Sequence, residues 1–283
     1  MKKVHLDSGE GLVLEVVTAG NRSARAFVFH HGGFGCAEGM APLFRAAADL
    51  GVFLIGVTRG GYAGSTRRPG RRTFNYVQDT KVALDHFGIS EFVSFGWSSG
   101  GPAMVSDLQD ERCIGGIGIA SDAPRVSDDW QSYLDKYPPA NSDGVTSEGI
   151  EWDLEAARTL RGKDLESYFD LLLCPADRKM VRGEYADELA DGIQIGMAPG
   201  IEGLLDDFES DADDWGINLG SITKPVALFQ GSDDRFCTPA HGHFLHDNLG
   251  NAELILIEGQ GHLSIVYDHA DDMVSKALTY FSS

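Results

Sequence analysis

The stretch Phe92-Val93-Ser94-Phe95-Gly96-Trp97-Ser98-Ser99-Gly100-Gly101-Pro102-Ala103-Met104 decides how the chain is read. Phe92 to Phe95 reads as a short buried strand and Gly101 to Met104 as a helix start, so Gly-x-Ser-x-Gly falls at a strand-to-helix reversal. A serine at such a reversal is held in a strained backbone conformation that lifts its hydroxyl clear of the sheet. The residues two before and two after it must lack bulk, so that strand and helix can approach. Gly96 and Gly100 meet that demand. In a chain with 35 glycines the pentapeptide also arises by composition. Its meaning therefore depends on whether the rest of the chain supplies a base, a carboxylate to orient it and donors for an oxyanion.

The surrounding sequence has the rhythm of alternating strands and helices. Residues 2–7 and 12–18 alternate apolar and polar around Ser8-Gly9-Glu10-Gly11, which predicts an antiparallel hairpin. Buried strands are expected at 26–30, 52–57 and 114–120. Between them, Met40, Leu43, Phe44, Ala47 and Leu50 recur at helical spacing up to Gly51. A second helix is expected after a capping Thr73, with Phe74, Val77, Leu84 and Phe87 on one face and Gly88 at its end. The pattern stops over 121–220, where a Pro/Asn/Ser/Asp/Gly loop at 138–144 precedes short helical patterns such as Leu165, Phe169 and Leu172 behind a capping Asp164. It resumes with a strand at 226–230, a helix at 239–249, a strand at 253–257 and a last helix carrying Val274, Ala277, Leu278 and Phe281. The alternation predicts parallel βαβ units with helices on both faces, in a core of 1–120 and 221–283 interrupted by a helical insertion at 121–220.

Composition narrows the class. The 283 residues are 42% hydrophobic and 23% charged, ordinary for a globular protein. A formal net charge of -20 repels polyanions, which argues against nucleic acid or an anionic membrane as partner. Arg67-Arg68-Pro69-Gly70-Arg71-Arg72 is a basic exception, read as a solvated loop. Cys36, Cys113, Cys174 and Cys237 are dispersed and form no redox or metal pair. Met1 to Asp7 leads into no apolar run, and no stretch approaches the roughly 20 apolar residues of a bilayer span, so a cytoplasmic location is expected. Nothing in the sequence fixes an oligomeric state.

In open parallel sheets chemistry gathers at the carboxyl ends of the strands. The loops there carry His31-Gly32-Gly33-Phe34-Gly35, then Ser98, then Gly231-Ser232-Asp233-Asp234, then Glu258-Gly259-Gln260-Gly261-His262. With the Arg59-Gly60-Gly61-Tyr62-Ala63-Gly64-Ser65 loop, these elements come in an order that resembles an α/β-hydrolase bearing a cap domain. The resemblance covers nearly all of the chain outside 121–220. It implies an eight-stranded, mostly parallel sheet and a triad of Ser98, His262 and Asp234. It also implies an oxyanion hole from the backbone N–H groups of Ser99 and Gly33. Asp233 and Asp122 are rival acids, and Phe34 competes with Gly33 as donor. Phe34 and Trp97 flank the nucleophile as candidate substrate-binding residues.

His31 is read as a brace of the oxyanion loop. His241, His243 and His246 are not expected to bind metal, since 241 and 243 share no helix face. No cofactor is expected. Two positions depart from the family: Thr58 stands where relatives often carry Asp, and Phe34 where many carry Pro. The first leaves open what braces Arg59.

The function expected on this basis is cleavage of a small carboxylic ester, or a related acyl bond, through an acyl-enzyme. The alternatives are an aminopeptidase of the prolyl-iminopeptidase type, whose substrate ammonium the acidic run Asp206 to Asp214 would hold, and a small-molecule receptor without turnover.

Overall fold

The computed structural model describes the chain except Asp49, Ser127, Ser142, Asp143, Gly144, Glu148, Gly149 and Ser283. The end of the 138–144 loop thus lies outside the described residues. The strands are β1 (Lys2–Asp7), β2 (Val13–Ala19), β3 (Arg25–His30), β4 (Phe53–Val57), β5 (Glu91–Trp97), β6 (Cys113–Ile119), β7 (Val226–Gly231) and β8 (Ala252–Ile257). They form one sheet in the order β1-β2-β4-β3-β5-β6-β7-β8. Only β2 runs against the rest, pairing antiparallel with β1 and β4. This is the α/β-hydrolase sheet.

The inner strands β3 to β7 are buried on both faces, and the two-residue period sorts their side chains. Phe27, Phe29, Leu54, Val93, Phe95 and Phe229 join a cluster with Leu43 and Phe44 of α1 (Ala41–Ala47) and Met273, Val274 and Ala277 of α12 (Ala270–Tyr280). Val28, Phe53, Ile55, Phe92 and Leu228 point the other way. They meet Leu84 and Phe87 of α2 (Tyr76–Phe87), Val105 of α3 (Gly101–Asp107) and Phe244 of α10 (Pro239–Asn248).

Between β6 and β7 the chain is helical: α4 (Trp130–Lys136), α5 (Leu154–Ala157), α6 (Leu165–Tyr168), α7 (Pro175–Val181), α8 (Ala186–Gly196) and α9 (Glu202–Ala212). Leu165, Phe169, Ile193, Met197 and Leu204 of this segment belong to the first cluster, so the insertion is packed into the core and not hung from it. The short helix α11 (Ser264–Asp268) precedes α12.

Several local readings change. Thr73 does not cap α2; its hydroxyl bonds Ser210 on α9, and Phe74 is 43% exposed. Asp164 does not cap α6 with its side chain; the carboxylate accepts from the Arg161 backbone N–H across a 3-10 turn. Gly88, by contrast, ends α2 in the left-handed region at φ 71°.

The basic loop is not solvated as a whole. Arg71 is 8% exposed, and its guanidinium pairs with Asp206 and Asp207 of α9 and donates to the Gly60 and Gly203 carbonyls. Arg67 also pairs with Asp206, while Arg72 reaches Asp213. The acidic run faces these arginines from the insertion.

Candidate active site

β3 and β5 are neighbours in the sheet, yet the chain leaves β3 toward β4 on the other side. The ends of β3 and β5 therefore mark the topological switch point where a crevice opens. His30 sits opposite Gly96, so the loop after β3 and the turn after β5 emerge level with one another. Ser98 lies at φ 56°, in the left-handed region that costs a non-glycine residue about 1–3 kcal/mol. The glycines are required by contact. A Cβ on Gly96 would lie 2.7 Å from Gly101 Cα and run into the Gly100 carbonyl, and one on Gly100 would lie 2.7 Å from the His31 carbonyl oxygen. Phe34 also takes a positive φ, 64°, which turns the loop after β3 back over the cavity.

A cavity of about 310 Å³ opens there. It is bordered by Ser98, Ser99, Gly33, Phe34, Trp97 and His262. The structure thus brings together every candidate site residue except Asp234, which lies one layer behind. Asp234 is fully buried and accepts the His262 Nδ1–H at 2.9 Å. Its other oxygen takes the backbone N–H groups of Phe236 (2.8 Å) and Cys237 (3.1 Å), which fixes the carboxylate plane. Burial alone would lower the His262 pKa. The Asp234 charge and hydrogen bond, with Asp177 and Asp122 farther off, outweigh it and raise the imidazole above its ordinary value.

The rival carboxylates have other partners: Asp233 accepts from the Ser232 hydroxyl at 2.8 Å, and Asp122 lies 3.2 Å from His241 Nδ1. The Ser98 hydroxyl is 3.9 Å from the Cys237 thiol, and that contact, not one to His262, is the hydrogen bond it makes among the described residues. Burial, then the charges of Asp122 and Asp234, push that thiol well above its usual pKa, so Cys237 stays protonated.

The loop after β3 is tied by side chains. His31 accepts the Arg59 backbone N–H on Nε2 at 3.1 Å and gives its Nδ1–H to the Gly32 carbonyl at 2.7 Å. Burial and then the Arg59 charge hold this imidazole neutral, far below its ordinary pKa. Among the described residues nothing accepts from the N–H of Gly33 or Phe34, which leaves both amides free for a ligand.

Trp97 donates its indole N–H to the His262 carbonyl at 3.2 Å, and its ring lies 5.8 Å from the imidazole. Sequence reasoning missed the rest of the wall. Phe236 stacks on His262 at 4.7 Å, Phe169 follows at 5.5 Å and Trp152 at 6.3 Å from Phe236, and Trp152 meets Phe34 at 5.3 Å. Two of these come from the insertion, where no motif announces them.

Asp177 on α7 was missed as well. It is fully buried and accepts the backbone N–H groups of His262 (3.2 Å), Leu263 (3.0 Å) and Ser264 (2.8 Å).

The donor atoms of Asp122, Cys237 and His241 lie within 4.8 Å of one another, a spacing that suits a cation. His241 Nδ1 already faces both the Ala123 N–H at 3.1 Å and the Asp122 carboxylate at 3.2 Å, and the Cys237 thiol faces the Ser98 hydroxyl at 3.9 Å, so the three groups have partners within the protein. His243 stacks on Tyr137 and His246 pairs with Asp247.

The chain belongs to the α/β-hydrolase fold family, whose model matches residues 25–268. No curated protein sequence matches it. Among solved structures it is similar to an esterase from Rhodococcus sp. ECU1013, with TM-score 0.72, 19% identity and 100% and 99% of the two chains covered. An esterase from Exiguobacterium antarcticum matches with TM-score 0.71 and 15% identity over 100% of both chains. A bromoperoxidase from Bacillus anthracis does so with TM-score 0.71 and 17% identity, again over 100% of both. At these identities the likeness is one of fold. No helix among the described residues is long and apolar enough to cross a membrane.

Proposed function

We propose that the chain is a serine hydrolase that cleaves a small carboxylic ester through an acyl-enzyme. Ser98 is the nucleophile, His262 the general base and then acid, and Asp234 the residue that orients the imidazole and stabilises its cation. The observation that carries the reading is the 2.9 Å Asp234–His262 hydrogen bond, buried behind a cavity that a strained serine also borders.

Attack on the acyl carbon requires the Ser98 hydroxyl to leave Cys237 for His262 Nε2, a tightening that hydrogen bonds at such sites undergo when substrate binds. Its proton then passes to His262 and on to the leaving alcohol, and water repeats the sequence to release the acid. Negative charge on the former carbonyl oxygen is met by the backbone N–H groups of Ser99 and Gly33; one such donor contributes about 3 kcal/mol.

The segment 121–220 acts as a cap over the site. The wall of Phe34, Trp97, Trp152, Phe169 and Phe236 favours a substrate whose acyl or alcohol part is apolar and flat, such as an aromatic ring. The aminopeptidase alternative loses its motive, because Asp206 and Asp207 are already matched by Arg67, Arg71 and Arg59.

Multiple turnover of p-nitrophenyl acetate, butyrate and phenylacetate, abolished by Ser98→Ala, tests the reading. Binding of such esters without turnover by the wild-type chain would favour a receptor instead.

A further inference from the structure

Arg59 is 1% exposed, and its guanidinium faces two ways. Toward the core it donates to the His31 carbonyl, to the Gly32 carbonyl at 3.3 Å and to the Ser99 hydroxyl at 3.0 Å. Toward the insertion it meets Asp207 of α9, with Nη2 at 2.7 Å and Nε at 3.1 Å from one carboxylate oxygen. Asp207 is fully buried, and besides Arg59 it takes Arg71 and the hydroxyls of Tyr62 (2.6 Å) and Tyr76 (3.2 Å). Burial would raise its pKa, but Arg59 and Arg71 hold the carboxyl far below the usual range, so it is an anion.

A peptide unit is planar and trans, so its C=O and N–H point in opposite directions. Holding the Gly32 carbonyl on Arg59 therefore aims the Gly33 N–H away from the guanidinium, on a residue that borders the cavity. The same guanidinium anchors Ser99 through its hydroxyl. One side chain thus holds both residues that offer the oxyanion donors, and the charge that keeps it in place comes from the insertion.

The seating of α9 is close as well. A Cβ on Gly203 would lie 2.6 Å from the Gly61 carbonyl oxygen, and one on Gly33 would lie 3.1 Å from Leu204 Cδ1. Parting α9 from the core would strand Arg59 and Arg71 without their shared anion in a dry interior, so the seat resists opening.

We propose that Asp207 is a positioning residue for the oxyanion hole, acting through Arg59, so that the Asp207–Arg59 pair and the rate of acyl transfer are coupled. The inference rests on the hydrolase reading above. It makes the α9 side of the insertion a fixed wall and not a lid.

The test compares Asp207→Asn, Arg59→Lys and Arg71→Gln on p-nitrophenyl butyrate, with kcat expressed per site titrated by a fluorophosphonate. A boronic acid serves as a mimic of the tetrahedral oxyanion. Asp207→Asn and Arg59→Lys are expected to lower kcat per site by about 10- to 100-fold and to weaken boronate binding by a similar factor, with KM changed less than about threefold. Arg71 shares the same carboxylate but touches neither His31, Gly32 nor Ser99, so Arg71→Gln should lower Tm and leave kcat per site unchanged.

Unchanged kcat and boronate affinity in both Asp207→Asn and Arg59→Lys would overturn the proposal while leaving the hydrolase reading intact. So would an equal loss in Arg71→Gln, which would trace the effect to general loosening. If Asp207→Asn does not fold, Arg59→Lys, which keeps the charge on Asp207 but loses the fork, decides alone. A wild-type chain that neither hydrolyses the ester nor reacts with the fluorophosphonate would instead reject the hydrolase reading, and this inference with it.

Discussion

Replacing Asp177 by Asn probes the support of the histidine loop. The wild-type carboxylate accepts three consecutive backbone N–H groups, those of His262, Leu263 and Ser264, from a position on α7 with no exposure to solvent. Asn keeps one acceptor oxygen and turns the other into an NH2 group. With the oxygen left toward Leu263 and Ser264, the NH2 group would face the His262 N–H. One charge-assisted bond is lost and two donors oppose each other in a dry interior, a change of about 2–4 kcal/mol.

For a chain of this size that corresponds to a Tm lower by roughly 3–7 °C. Because the displaced amide belongs to His262 itself, kcat per titrated site should fall roughly tenfold or more, by misplacing the imidazole. Differential scanning calorimetry gives the first number, and ester hydrolysis normalised by fluorophosphonate titration gives the second. A variant with wild-type Tm and wild-type kcat per site would refute the reasoning that this carboxylate sets the loop.

Other perturbations give equally definite expectations. The raised His262 pKa places the acid limb of the kcat/KM profile above pH 6.5, and Asp234→Asn should move that limb to lower pH while cutting kcat; a limb unmoved by the substitution would count against the pair. By linkage, a raised folded pKa stabilises fully below pH 6.5 and the contribution disappears as pH rises through the folded value. The Tm gap between wild type and Asp234→Asn should therefore narrow on the alkaline side, as followed by circular dichroism. Gly96→Ala would drive a Cβ into the backbone of Gly100 and Gly101, which cannot retreat, and should yield little folded protein in a sedimentation assay. Trp152→Ala and Phe236→Ala should lower kcat/KM for p-nitrophenyl phenylacetate severalfold more than for the acetate, measured side by side.

The features legible in the sequence were local ones. Gly96, Gly100 and the apolar runs of β3, β4, β5 and β7 state their geometry within a few residues, because a two-residue period or a missing Cβ is a local property. Ser98, Asp234 and His262 stood out through the chain order of the loops after β5, β7 and β8, which resembles that of an α/β-hydrolase.

Pairing across the chain escaped. Arg67 to Arg72 and Asp206 to Asp214 each look like a solvated run, and only folding sets them against each other as a network that is buried at Arg71, Asp206 and Asp207. Thr73 has the chemistry of a helix cap, but Ser210 on α9 takes its hydroxyl. Nothing local marks Asp177 or Trp152, whose surroundings are made by elements distant in sequence. Thr58 left Arg59 without an evident acidic partner, and Asp207, 148 positions on, supplies it.

The central claim is that the Ser98 oxygen, and not the neighbouring Cys237 sulfur, becomes acylated. Rapid acid quench of the wild-type chain turning over p-nitrophenyl butyrate, followed by peptide mapping with mass spectrometry, locates the butyryl group directly. The account predicts a butyryl ester on Ser98 that is absent from Ser98→Ala and accumulates in His262→Ala only at a greatly reduced rate. A butyryl thioester on Cys237 during turnover, or steady hydrolysis by Ser98→Ala, would contradict it.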